Sequence, residues 1–130
     1  MVKNFFVQAG EGKHTVSITA TLTGDGIIIQ LLGGEKPHVG AVALGLPRPS
    51  LADPAQTSCN CIVIPLLGHK DDEAARPVAE RLARLYGQPV AVVAGIHIDR
   101  AAAADIDLLK KNTGAALDKL CGLLSGIITQ

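Results

Sequence analysis

Between Val16 and Thr21 apolar and hydroxyl side chains strictly alternate, whereas from Asp72 onward apolar residues recur every three or four positions. The first pattern is that of a half-buried strand and the second that of an amphipathic helix. A chain that changes period midway must build a sheet and cover it with helices. The turn Gly24-Asp25-Gly26 separates Val16–Ala20 from a second apolar run, Ile27 to Leu32, expected to be buried on both faces. Gly33-Gly34-Glu35-Lys36-Pro37 then leads to a third strand, His38 to Leu44, while Phe5 to Gln8 is expected to add a short edge strand. Pro47, Pro49 and Pro54 mark 46–56 as a loop. Ser58 to Leu66 is the fourth strand of this series, with Pro65 suggesting an edge or bulge.

Ala75, Val78, Ala79, Leu82 and Leu85 place a helix over 72–86, stopped by Gly87. Val90 to Ala94 is a β-branched strand, and a second helix is expected from about Arg100, with Asp99 as its N-cap and a bend near Asn112-Thr113-Gly114. The expected fold class is α/β (α+β). It consists of an antiparallel β-meander followed by a βαβα unit, one mixed sheet with two main helices in a single domain over 1–130. At 130 residues the chain fits one domain.

Lys plus Arg and Asp plus Glu each number 12, and the aromatics are two Phe and one Tyr with no Trp. A neutral, aromatic-poor chain lacks the basic footprint and stacking platforms of a nucleic-acid binder. No apolar run approaches the ~20 residues that span a bilayer, so no membrane partner is expected. The N-terminal residues carry no sustained apolar stretch, and the expected location is the cytoplasm. Cys59, Cys61 and Cys121 are too few for a disulfide framework. Cys59 and Cys61 face one side of a strand and read as core thiols, as does Cys121.

The chemistry-bearing positions lie where strands give way to helices. Gly68-His69-Lys70 leaves one strand, and Gly95-Ile96-His97-Ile98-Asp99 leaves the other. Parallel strands would bring both junctions to one sheet edge, the usual ligand site of open α/β sheets. Helix N-termini there attract anions, and Lys70 adds a full charge, so a phosphate-bearing ligand is expected. Asp71, Asp72 and Glu73 in the first helical turn oppose it, unless Lys70 or a metal offsets them. Three imidazoles, His38, His69 and His97, could together hold a divalent metal, although no local ligand spacing requires it. His14 reads as a surface residue. Nucleophile elbow, catalytic triad order and P-loop are all missing, so an enzyme is not demanded.

Three stretches taken together carry a resemblance. Pro37-His38-Val39-Gly40-Ala41-Val42-Ala43, Pro65-Leu66-Leu67-Gly68-His69-Lys70-Asp71-Asp72 and Ala94-Gly95-Ile96-His97-Ile98-Asp99 resemble the prenylated-flavin chaperone family of LpdD type, accessory to UbiD-like decarboxylases. The resemblance implies a non-catalytic protein that binds prenylated FMN, with FMN as an analogue, and delivers it to, or matures it in, an apo UbiD-like decarboxylase. It makes His38, Gly68, His69, Lys70, Gly95, His97 and Asp99 the candidate cofactor contacts, with Asp71 a further one. Exposed apolar faces on so small a sheet imply a homo-oligomer. The alternatives are a small metal-dependent enzyme built on the three histidines and a structural accessory subunit.

Overall fold

A computed structural model describes residues 1–66 and 70–128. The elements run β1 (Lys3–Ala9), a 3-10 turn (Gly12–His14), β2 (Val16–Leu22), β3 (Ile27–Gly34), β4 (Ala41–Pro49), β5 (Thr57–Pro65), α1 (Asp72–Tyr86), β6 (Val90–His97) and α2 (Ala103–Leu124). They form one mixed six-stranded sheet in the order β1-β2-β3-β6-β4-β5 with both helices on one side. The α+β class read from the sequence is the one observed.

β1, β2 and β3 make an antiparallel meander. β6 then enters between β3 and β4, parallel to the first and antiparallel to the second, while β4 pairs antiparallel with β5. β5 and β6 therefore share a direction, as a βαβ unit requires, with β4 lying between them. The position of β6 follows from its composition: Val90, Val92 and Ala94 are fully buried, and the sheet centre is where such a strand finds cover.

α1 packs on β4, β5 and β6, and α2 on β1 and β2. Ile18, Ile29, Leu31 and Val92 meet Val78, Leu82, Leu120 and Leu124 in the core. Tyr86 joins the two helices, its hydroxyl donating to the Cys121 carbonyl (3.2 Å) and lying 3.1 Å from Ser125 Oγ. α1 ends on Gly87, at φ +64°, as its sequence indicates.

Four expectations are revised. First, β4 extends through Pro47 and Pro49. β6 pairs with it only as far as Gly45, so both prolines sit where β4 has a single neighbour, β5, and can lack one donor. The loop shrinks to 50–56, closed by Ser50 N–H donating to the Gln56 carbonyl (2.8 Å). Second, β3 is buried on one face only, leaving Ile28 and Gln30 exposed, because both helices lie on the other side. Third, α2 begins at Ala103 and continues unbroken past Gly114. Its interior polar groups are satisfied: Thr113 Oγ1 donates to the Leu109 carbonyl (2.7 Å) and Asn112 Nδ2 to the His14 carbonyl (2.7 Å). Fourth, Asp105 rather than Asp99 accepts from the N-terminal Ala102 N–H (2.9 Å). No helix among the described residues is long and apolar enough to cross a membrane.

Candidate functional site

β3 and β6 run side by side and finish together, with Gly34 opposite His97. β5 ends and β4 begins at this same edge, so the connections β3–β4, β5–α1 and β6–α2 converge there. Beyond Gly34 the chain doubles back, and Glu35 and Lys36 N–H groups both donate to the His97 carbonyl (2.8 and 3.1 Å). The segment 36–40 then crosses β6 at Gly95, where any Cβ would overlap the backbone of His38. Gly40 N–H donates to the Ala94 carbonyl (2.8 Å) and enters β4 in register.

That path lays His38 against Asp71, the one buried charged residue among those described. Asp71 Oδ1 accepts from Ile96 N–H (2.8 Å) and Oδ2 lies 2.8 Å from His38 Nε2. The carboxylate thus joins the start of α1, strand β6 and the β3–β4 connection. His38 Nδ1 lies 2.9 Å from the Lys36 carbonyl, which can only accept, so we assign a proton to Nδ1. The contact between Nε2 and Oδ2 pairs the ring with the carboxylate. Both Asp71 oxygens are thus engaged within the protein, by Ile96 N–H and the His38 ring.

His97 stands edge-on to His38, with ring centroids 6.1 Å apart. Its Nε2 lies 2.9 Å from Asp99 Oδ1, and Asp99 Oδ2 lies 2.6 Å from Lys36 Nζ. The Lys36 ammonium and then His97 hold the Asp99 carboxyl below the usual aspartate range, and hydrogen bonding to Asp99 raises Lys36 in turn. A depressed aspartate pKa contributes stability above the unfolded value and loses it as pH falls through the folded one. Carboxyl NMR should therefore find Asp99 titrating below an ordinary aspartate and moving up toward that range in Lys36→Ala, with His97 still holding it down in part. A midpoint unmoved by Lys36→Ala would remove this ion pair from the solution structure.

Of the residues expected at the site, His38, Gly95, His97 and Asp99 come together, and exposed Lys70 immediately precedes Asp71. Gly68 and His69 lie outside the described residues. So does one member of the metal set His38, His69 and His97; the other two place Nε2 against carboxylates, and no group of three metal-ligating side chains occurs among the described residues. His14 is half-buried rather than a free surface residue, with Nε2 2.7 Å from Asp105 Oδ1. The thiols are on the helix side: Cys59 is buried, and burial pushes the Cys61 thiol up, away from reactivity.

Sequence reasoning missed Glu35, whose Oε1 accepts from Asp99 N–H (3.1 Å), and Lys36. It also missed Arg100, an exposed residue with φ +53°, a left-handed conformation that non-glycine residues seldom adopt. The only hint was proximity to the histidine motifs. Both helix N-termini carry acids of the chain itself, Asp72 and Glu73 on α1 and Asp105 on α2. Cationic side chains, not acid-capped helix ends, are therefore the groups of this edge whose charge suits an anion. Among the described residues neither Lys70 nor Arg100 forms an ion pair.

The fold is thus a helix-backed sheet that gathers histidines and cations at one open edge. Residues 10–125 match the model of the prenylated flavin chaperone LpdD-like domain, and the chain belongs to that family. The fold is also similar to a chain in the crystal structure of a novel chaperone complex for yeast 20S proteasome assembly. That likeness has a TM-score of 0.61 at 21% identity and covers 98% of each chain. It extends to the fold alone. No curated protein matches the sequence.

Proposed function

We propose that this protein binds prenylated FMN at the carboxyl edge of its sheet and hands it to an apo UbiD-like decarboxylase in the cytoplasm, without catalysing a reaction of its own. Family membership supports the ligand class. The observation that carries the placement is the pair of exposed cations, Lys70 and Arg100, flanking the His38–Asp71 and His97–Asp99 contacts. A phosphate group fits such cations, which have no internal partner among the described residues. Val39 and Leu66 are exposed beside His38 and offer apolar surface to a ring system; Leu66 N–H is tied to the Gly40 carbonyl (2.9 Å). An open edge with few aromatics suits a carrier that releases its cargo.

Titration with prenylated FMN and FMN, followed by absorbance and native mass spectrometry, tests the reading. Tight binding of the prenylated form is expected. Lys70→Ala and Arg100→Ala should each weaken it by about 1.5–3 kcal/mol, the range for a hydrogen bond to a charged group. A chelator arm reads whether His38, His69 and His97 gather a divalent metal. Loaded protein mixed with apo-decarboxylase should restore decarboxylation. Absence of binding to either flavin would overturn the proposal.

A further inference from the structure

The two edges of the sheet are guarded differently. At β1, Lys119 of α2 donates to the Gln8 carbonyl (2.8 Å) and Lys3 opens the strand, and both features discourage further pairing. β5, the other edge, has no such guard: Thr57–Pro65 carries no charged side chain, and its one proline is the last residue. Leu66 N–H donates to the Gly40 carbonyl, so in the β4–β5 register the even-numbered residues of β5 bond to β4. Thr57, Cys59, Cys61 and Val63 therefore turn their N–H and C=O groups outward.

Above this edge lies the flank of α1 that faces away from α2. Arg81, on the opposite flank, reaches Asp118 of α2 (2.8 Å). The Glu80 carbonyl accepts from Cys59 Sγ (3.8 Å), and Arg76 and Glu80 both lie within electrostatic reach of Cys61. Asp72, Arg76, Glu80 and Arg84 recur at every fourth position and form one row on the helix, negative and positive in turn. None of the four is buried. Glu80 and Arg84 pair with each other (3.2 Å), while Asp72 and Arg76 form no ion pair among the described residues.

We propose that β5 and this flank of α1 form the interface of a two-fold homodimer, in which the two β5 strands pair antiparallel about Cys61 and join the sheets into one. The proposal goes beyond the flavin reading and does not depend on it. Charge selects a second copy. A two-fold axis reverses the row, setting Asp72 against Arg84 and Arg76 against Glu80 of the other copy, so every charge meets its opposite. A uniformly acidic or basic partner would meet repulsion at half of these positions, and a lone strand added to β5 would leave the row unmatched. The spacing agrees. α1 packs over β4 with β5 and β6 on either side, so the two α1 axes stand about three strand spacings, ~14 Å, apart. Subtracting a Cα radius of ~2.3 Å for each helix leaves ~10 Å, a gap that facing arginine and glutamate side chains bridge. Seven strand residues, ~24 Å, and the ~20 Å depth of sheet plus helix give about 500 Å² per copy. The two copies together reach the ~1,000 Å² that a specific interface needs.

Light scattering of the full chain at tens of micromolar should return twice the 13.4 kDa chain mass. Arg76→Glu and Glu80→Arg each set like charges together twice across the axis, and each should raise the dimer dissociation constant at least ~10-fold. An equimolar mixture of these two variants should regain wild-type association, because each then offers the other the opposite charge at both positions. Cys61→Pro removes an outward N–H at the axis from both copies, at a place where an edge strand tolerates proline. It should raise the constant at least ~100-fold with far-UV circular dichroism unchanged. Should that variant fail to fold, the exposed charge variants test the same interface without it. Dimerisation without flavin binding would overturn only the flavin reading, and flavin binding by a wild-type monomer only this one. A monomeric wild type, a dimer insensitive to these variants, or a mixture that stays monomeric would overturn the proposal, as would an edge that pairs only with the decarboxylase.

Discussion

Asp71→Ala is expected to destabilise the protein by about 3 kcal/mol, the lower end of the range for breaking a buried charged pair. The loss has two parts. Ile96 N–H, in a buried strand, loses its acceptor, and His38 Nε2 loses the carboxylate it faces. Both groups lie where water has little access, since Asp71 itself is only 6% exposed. Asp71→Asn should cost less than half as much. Its amide oxygen can still accept from Ile96 N–H, and its NH2 can donate to the His38 ring nitrogen it faces. The asparagine variant therefore keeps the fold. Urea denaturation of both variants checks this; a loss below 1 kcal/mol for Asp71→Ala would mean that the carboxylate does not bridge its three segments.

The second large effect comes from adding a single methyl group. In Gly95→Ala the new Cβ would fall on the backbone of His38, which cannot yield as the end of a flexible side chain can. Either β6 or the 36–40 segment must shift. β6 is locked between β3 and β4, so the segment moves, taking with it the Gly40–Ala94 hydrogen bond and the His38–Asp71 contact. Overpacking of this kind costs about 1–3 kcal/mol. The stability change should be moderate while flavin affinity falls at least ~10-fold, the ratio that 1.4 kcal/mol represents. Amide shifts concentrated in residues 35–41 would locate the damage; a variant that binds flavin like the wild type would detach this segment from the site.

The sequence announced its elements wherever one force dominated. The 72–86 helix is legible because a long apolar stripe and a terminal glycine agree, and the strands because alternation is regular. The edge holding His38 and His97 was legible because motifs at strand ends converge once strands run parallel. Pairing partners were not legible. Nothing local in Val90–His97 says that β6 lies between β3 and β4, so the environments of Pro47 and Ile28 were misread. Asp71 was read among first-turn acids beside Asp72 and Glu73, because spacing alone cannot distinguish a side chain on the helix dipole from one reaching 25 residues ahead to the backbone of Ile96. Arg100 gave no signal, since an unusual φ leaves no mark in residue type.

The placement of β6 also has a consequence in time. It is the last strand in chain order but occupies the middle of the sheet, flanked by strands formed much earlier in the chain. Until it arrives, β3 and β4 each present an unpaired edge, and the two sub-sheets, β1-β2-β3 and β4-β5, have no hydrogen bonds between them. Such edges invite pairing with other chains, and the contacts that close them are far apart in sequence, which slows folding. The binding edge depends on the same arrival: the His97 carbonyl that turns the 35–36 backbone, the Gly95 gap that admits His38 and the Ile96 amide that fixes Asp71 all belong to β6. A half-folded chain therefore lacks the edge on which the proposed flavin site is built, and that edge forms only as the aggregation-prone seam is sealed.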